Sequence, residues 1–492
     1  MVGSSDPSPL CPLVGPTEGR CNAWIFATLC PQDALFQSRQ DSYWSRTAAA
    51  NTSPKYILQP KSSREVSEVL KVLNQRGDQF AVRSGGHMPW AGSNNIDGGV
   101  TIDLGRMDWT RFDATSETVD IGPGARWLSV YAELHRHGRA VAGGRDGNVG
   151  VAGLLLGGGI SYFTGRHGFG CDNVIAYEVV LADGRIVTAD TEKHTDLFRA
   201  LKGGCCNFGI VTNFRMRTFC CNKAWGGITF YRKELVPQAI TGLVDFTDKL
   251  ENDPDSNLLC FFTYTEFKDT VICTVLCNVA GETNAPAFEQ WFALPTIQST
   301  CKTSTLVDML TECSVAPMGY FNTFYTACFK NDPRIVVKAV QLHEAFVAAV
   351  QAYISSGDFI SQCLFQPLPL LFARESAAAG GLNVMGLDRQ VDNGLVLTVS
   401  LMVRSQDDEA FAYPKIQAWV RDLQTFAADL EGNQDWVYAN YADKSQDPLA
   451  SYGPNNLEFL NTVAKRYDPD GVFQKRCPGG FKLPVVVQGE VV

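Results

Sequence analysis

The chain has 492 residues, 45% hydrophobic and 19% charged, with a formal net charge of −10. That length exceeds one ordinary core and predicts two or three domains of a soluble globular protein. The negative balance, with no basic run of five residues, argues against nucleic acid or an anionic membrane as partner, since both select a concentrated basic face. No uninterrupted apolar stretch reaches the ~18 residues of a membrane span, and GLVLTVSLMV at 394–403 reads instead as a buried strand.

The start, MVGSSDPSPLCPLVG, has neither the positive end nor the apolar segment of a secretory signal. Residues 1–51, punctuated by proline and small polar residues, are expected to form an N-terminal extension wrapping the surface. None of the 16 cysteines has zinc-site spacing, and no histidine pair joins them, so no metal is expected. Cys11, Cys21 and Cys30 suit disulfides of an oxidising compartment, whereas Cys260, Cys273 and Cys277 read equally well as buried free thiols. With the glycosylation acceptor Asn51-Thr52-Ser53, the expectation is a secreted or endomembrane protein, with a cytoplasmic one as the alternative.

From Tyr56 the text alternates between strand and helix. YILQP precedes SSREVSEVLKVLNQRG, whose Val66, Val69, Leu70 and Leu73 recur at helical spacing before Gly77. QFAVRSGG, GGVTIDLGRM and TVDIGPGA read as strands, and WLSVYAELHRHG as an amphipathic helix closed by Gly138. NVIAYEVVLADGRIVTAD predicts a hairpin turning at Ala182-Asp183-Gly184. Residues 52–221 are assigned to a first domain, 222–430 to a second α+β domain with longer helices such as PRIVVKAVQLHEAFVAAVQAYI, and 431–492 to a segment returning to the first.

The densest glycine text is GGRDGNVGVAGLLLGGGISYFTGRHGFG, from 143 to 170. Backbone without side chains can lie against something flat or charged, so a phosphate-bearing cofactor is the natural occupant. It is neither a P-loop nor G-x-G-x-x-G. His87 in AVRSGGHMPWAG could be a ligand, a base, a covalent anchor or a surface residue beside a turn. His135 and His137 end a helix, where a cation offsets the carbonyl dipole. His343 sits in a charged helix, and His167 and His194 have no constellation around them.

AVRSGGHMPWAGSNNIDGGVTIDLGRM, the glycine region, KGGCCNFGIVTNF and the closing WVYANYADKSQDPLASYGPNNLEFLNTVAKRYDPDGVFQ together resemble the FAD-linked oxidases of the vanillyl-alcohol oxidase superfamily. The match is to the berberine-bridge-enzyme-like branch in its fungal form and covers the chain from about residue 52 onward. The resemblance implies an α+β, two-domain PCMH-type FAD-binding fold, with an inserted substrate domain of antiparallel sheet backed by helices. It implies an FAD-dependent oxidoreductase, with oxidase favoured over dehydrogenase, that passes hydride to flavin N5 and electrons to molecular oxygen. His87 matches the histidine that bonds the flavin C8-methyl carbon. Arg83 and Ser84 could meet the phosphates. The cofactor-binding set implied is Arg83, Ser84, Gly85, Gly86, His87, Ser93, Gly144, Gly147, Asn148, Gly150, Gly153, Ser161, Asp172, Gly209, Ile210, Val211, Asn440 and Tyr441.

Two departures stand out. Where many members carry a second anchoring cysteine in C-x-x-V-G-V-x-G, this chain has Asp146; Cys171 lies too far along to replace it, so a single tether through His87 is expected. Members with one link have more enclosed sites, which points to a small, mostly apolar secondary metabolite. In KGGCCNFGIVT, Cys205 and Cys206 replace two glycines and would narrow the site or form a vicinal disulfide. Tyr438 in Tyr438-Ala-Asn440-Tyr441 is the candidate catalytic base, with packing over the ring system as its other reading; Glu266 and Gln366 are weaker candidates from strand alternation. The alternatives are a secreted oligosaccharide oxidase and a flavoprotein cyclase whose flavin is structural. Oligomeric state is not indicated.

Overall fold

Residues 27–50, 52–265, 269–313, 318–380 and 383–484, with the strand pairs 486–487 and 490–491, are described by the computed structural model. Asn51, Glu266, Cys11 and Cys21, each singled out above, lie outside the described residues.

The first strand-helix alternation folds as the periodicity predicts. A four-stranded sheet has the order β1 (Ala27–Leu29), β2 (Tyr56–Gln59), β4 (Val100–Asp103), β3 (Phe80–Arg83), with β2, β4 and β3 parallel. Parallel strands need a crossover, and the helix Ser63–Arg76 supplies it between β2 and β3, which flank β4, by burying Val66, Val69, Leu70 and Leu73. Ser62 caps its first turn, accepting from the Glu65 amide at 3.3 Å, and Gly77 ends it at φ 75°. A second sheet is wholly antiparallel: β5 (Thr110–Asp113), β6 (Thr118–Ile121), β10 (Ile210–Arg217), β8 (Val174–Val180), β9 (Ile186–Asp190). Its β8–β9 hairpin turns through Gly184 at φ 83°, as the Ala-Asp-Gly text required. The two-residue strands β7 (Arg139–Ala140) and β11 (Phe219–Cys220) pair separately.

Residues 224–434 build one large antiparallel sheet. Its strands are β12 (Ala224–Arg232), β13 (Ser256–Tyr264), β14 (Thr270–Asn278), β15 (Thr296–Ser299), β16 (Lys302–Ser304), β17 (Phe321–Lys330), β18 (Ile360–Leu368), β19 (Gly394–Val403) and β20 (Asn433–Gln434). They run in the order β15-β12-β14-β13-β18-β19-β17-β20, with β16 on β12. GLVLTVSLMV is β19, buried at every residue because strands flank it and both faces are covered. One face carries the helices Val236–Lys249, Pro333–Tyr353 and Gln406–Ala428. The helix Pro333–Tyr353 is long and apolar enough on average to cross a bilayer, though Lys338 and Glu344 interrupt it, and Ile335, Val336, Ala339, Val340, Phe346, Val347 and Val350 pack inward as core. The other face of the sheet looks toward the two smaller sheets.

Three expectations are corrected here. Residues 27–50 do not simply wrap the surface, because β1 joins the first sheet and Tyr43, Trp44 and Ala48 are buried. His343 is not on a charged face: it is fully buried, its Nε2 lies 2.9 Å from Ser361 Oγ, and its ring stacks on Trp419 at 5.2 Å. The adjacent Cys205 and Cys206 are free thiols and form no vicinal disulfide. Cys205 and Cys206 stand instead as two side chains in the cavity wall.

Candidate functional site

Between the large sheet and the two small ones lies a cavity of about 980 Å³. That is near the upper end of the ~300–1,000 Å³ of ligand pockets, enough for a large cofactor with a small molecule beside it. One wall is backbone. β3 runs into Ser84, Gly85, Gly86 and His87, and Gly86 takes φ 66° to turn the histidine inward. Gly85 passes so close to the second loop that a Cβ there would stand 2.5 Å from Gly150 Cα. Arg126 staples the two loops, donating to Gly85 O at 2.9 Å and to Asn148 O. A Cβ on Gly153 would meet no atom within 4 Å, so its backbone faces open space.

His87 is the centre of this wall. Its Nε2 is buried with no hydrogen-bond partner, and its ring stacks on Trp44 at 4.5 Å and 9°. Burial first, then the positive charge of Arg126, pushes its pKa down to about 3. The ring is therefore a neutral imidazole with an unused nitrogen at the cavity edge, which is what a nucleophile or anchor requires. An orphaned buried nitrogen is costly unless something else pairs with it.

The opposite wall is side chain. Alternate residues of each strand point the same way, and the cavity receives Ile228 and Phe230 from β12, Leu259, Phe261 and Thr263 from β13, and Cys273 and Val275 from β14. β18 adds Ile360, Gln362 and Leu364, and β19 adds Thr398, Ser400 and Met402. Most of this surface is apolar. Between the walls Tyr438 is buried; its hydroxyl accepts from Ile160 N at 2.7 Å and Asn440 Nδ2 at 3.0 Å. Burial, and then the neighbouring Tyr441, raise its pKa despite those two donors. Tyr441 meets it edge-on at 4.8 Å.

Of the residues expected from the sequence, the cavity wall gathers Ser84, Gly85, Gly86, His87, Ser93, Gly150, Gly153, Gly209, Ile210, Val211, Tyr438, Asn440 and Tyr441. The others stand behind it. Arg83 does not reach toward a phosphate: it is buried, donates to Arg39 O and Ser42 Oγ, and lies over the Tyr43 ring at 3.6 Å, so it locks the N-terminal segment to the His87 loop. Ser84 lines the cavity but its hydroxyl is spent on Pro123 O at 2.6 Å. Gly144 makes room for Trp127, whose Cδ1 would stand 2.4 Å from a Cβ. Gly147 O accepts from Leu128 N, and Asn148 N donates to Asp146 Oδ1 at 2.7 Å, so both shape the loop. Ser161 accepts from Phe163 N in a buried turn. Asp172, which accepts from Phe169 N and Asn383 Nδ2, also serves a turn. Asp146 itself is on the wall, and Cys171 is buried away from it. Gln366 lies on the cavity face of β18, where Arg145 donates to its Oε1.

Trp44, Arg126 and Arg145 were not anticipated. Trp44 belongs to a segment without periodicity, and nothing in its text signals a site. Arg145 did carry a signal, as the single cation between 143 and 159.

The cavity suits FAD: the glycine loops leave a cradle free of side chains, and His87 presents an orphaned nitrogen to it. Residues 54–190 match the FAD binding domain family. The chain is 38% identical over 454 residues, 91% of its own length and 86% of the relative's, to the FAD-dependent monooxygenase drtC of Aspergillus calidoustus. The fold is that of 6-hydroxy-D-nicotine oxidase from Arthrobacter nicotinovorans, with a TM-score of 0.75 at 19% identity over 91% of this chain and 96% of that one. It is also that of the glucooligosaccharide oxidase of Acremonium strictum, which carries a 6-S-cysteinyl, 8α-N1-histidyl FAD; the TM-score is 0.72 at 19% identity, over 95% and 98% of the two chains. The match of sequence and cradle places this chain in the family of the fungal FAD-dependent monooxygenases, FAD-binding oxidoreductases, with the PCMH-type, berberine-bridge-enzyme-like fold.

Proposed function

We propose that this oxidoreductase holds FAD through one covalent bond, to His87, and oxidises a small, largely apolar metabolite by hydride transfer to flavin N5, with molecular oxygen as the electron acceptor. The observation that carries the reading is the His87 Nε2, buried, neutral and unpartnered on the glycine wall. Trp44 holds the ring in one plane, and burial, with the charge of Arg126 behind it, keeps it unprotonated. Asp146 stands at the position of the second anchor in the sequence pattern, and a carboxylate does not replace a thiolate there.

When bound, FAD supplies the hydride acceptor. The chain's own residues do the rest. The apolar side chains of β12, β13 and β18 exclude water from the reacting pair and take an apolar skeleton. Tyr438, with both acceptor directions used by Ile160 and Asn440, keeps its own proton at rest because burial disfavours the phenolate. Deprotonated, the same oxygen keeps those two donors and has a further lone pair to take the proton of the substrate's reacting group as hydride leaves. A raised pKa makes the phenolate fraction climb with pH, so kcat rises from neutral to alkaline pH.

Acid precipitation of the purified protein tests the tether. The expected result is a yellow pellet for the native chain and a yellow supernatant for His87→Ala. A colourless native pellet would falsify the covalent link. Tyr438→Phe is expected to lower kcat by about 100-fold or more and to flatten its pH dependence while keeping the flavin. Peroxide equal to product supports the oxidase reading; an oxygen atom from O₂ in the product moves it to monooxygenation.

A further inference from the structure

Among the described residues Arg145 is a cation with neutral hydrogen-bond partners only. Its guanidinium stands on the cavity wall, where Nη1 donates to Asn257 Oδ1 at 3.3 Å and Nη2 donates to Gln366 Oε1 and to Tyr441 Oη at 3.2 Å. No ion pair involves it among the described residues, although the surface arginines of this chain commonly have one. Asn257 and Gln366 are buried on β13 and β18 and hold the planar group in one orientation.

Donors here outnumber acceptors. A guanidinium offers five N–H bonds and accepts none. Gln366 has spent its oxygen on Arg145, and its Nε2 is buried without a partner. Two residues along the facing strand from Val396, the register partner of Gln366, Thr398 also has a buried, unpartnered hydroxyl on the cavity. Tyr441 accepts from Arg145, which leaves its own proton to be donated. A positive charge and surplus donors in a mostly apolar chamber are satisfied by an anionic oxygen, which makes short, charge-assisted hydrogen bonds.

We propose that Arg145, held by Asn257 and Gln366 and joined by Tyr441, binds an acidic oxygen of the substrate, so that the substrate is an apolar molecule carrying one enolate, phenolate or carboxylate. This rests on the oxidoreductase reading above and narrows it. The anchor fixes which end of an otherwise apolar skeleton lies toward Tyr438, and an enolate or phenolate held there makes the carbon framework a better hydride donor.

The test is calorimetric binding to the flavin-loaded protein at a pH where the acidic probes are ionised. Para-nitrophenolate is compared with para-nitroanisole, and para-nitrobenzoate with para-nitrobenzamide. At least one anion is expected to bind about tenfold or more tightly than its neutral counterpart, equivalent to ~1.4 kcal/mol. Preference within the first pair assigns an enolate or phenolate, within the second a carboxylate. Arg145→Gln is expected to erase the preference with flavin content unchanged, Arg145→Lys to restore part of it, and Tyr441→Phe to weaken it about threefold. Equal affinities in the native protein, absent binding included, or a preference that survives Arg145→Gln, overturn the assignment. Native protein that purifies without flavin sinks the oxidoreductase reading instead.

Discussion

The two walls of the cavity are made of different material. On the side of the small sheets the wall is main chain, with Gly85, Gly86, Gly150, Gly153 and Gly209 along it and the backbones of Gly85 and Gly150 in contact. On the side of the large sheet it is side chain, one residue in two from β12, β13, β14, β18 and β19. Backbone tolerates no added atoms where loops cross, whereas alternate strand positions accept many side chains of similar size. The glycine wall is thus suited to one invariant cofactor and the strand wall to a substrate of particular shape.

Breaking the glycine wall has the largest effect. Gly85→Val puts side-chain atoms where Gly150 backbone already lies, and the flavin-to-protein absorbance ratio is expected to fall at least tenfold. The companion change on the strand wall, Phe230→Ala, leaves that ratio within about twofold and alters substrate affinity; equal flavin loss in both variants contradicts the division. Next comes the brace behind the first wall. Trp44→Ala removes a buried ring from His87 and is expected to cost about 3–5 kcal/mol in denaturant unfolding, together with a smaller share of flavin retained after acid.

The smallest effect separates two histidines, His343 fully buried and His87 half-buried at the cavity edge. His87 and His343 are both pushed down to about 3 by burial, but the Nε2 of His343 meets Ser361 and its unpaired Nδ1 lies in the core, whereas the unpaired Nε2 of His87 lies on the cavity wall. A histidine depressed in the folded state is protonated first in the unfolded chain. Stability is therefore fullest above the ordinary pKa of about 6.5 and falls as pH drops toward 3, by at most ~1.4 kcal/mol per pH unit for each ring. His343→Gln keeps a polar group near Ser361 without that proton, so Tm measured from neutral to acid pH is expected to decline less steeply than in the native protein, while flavin retention does not change.

Much of the fold could be read from local pattern. The helix 63–76, the β8–β9 hairpin and the buried β19 follow from apolar spacing and turn residues, which act within a few positions. His87 and the glycine loops could also be read, because a run of residues without side chains is visible as such. Gly144, Ser161 and Asp172 belong to the same text but not to the wall, since one glycine accommodates Trp127 and the two polar residues satisfy turns. Their chemistry in the sequence resembles that of their neighbours on the cavity; only packing distinguishes them.

The element types, the side-chain-free cradle and the histidine set into it each depend on residues near one another along the chain, and so they are legible without the fold. Tertiary structure decided that Trp44 stacks on His87, that Arg83 turns away to Tyr43, and that Arg145 meets Asn257, Gln366 and Tyr441. Those pairs come from separate strands and loops. Their meeting depends on sheet order and register, which local pattern does not encode, and so the anchor for the cofactor could be read before the fold was known while the anchor for the substrate could not.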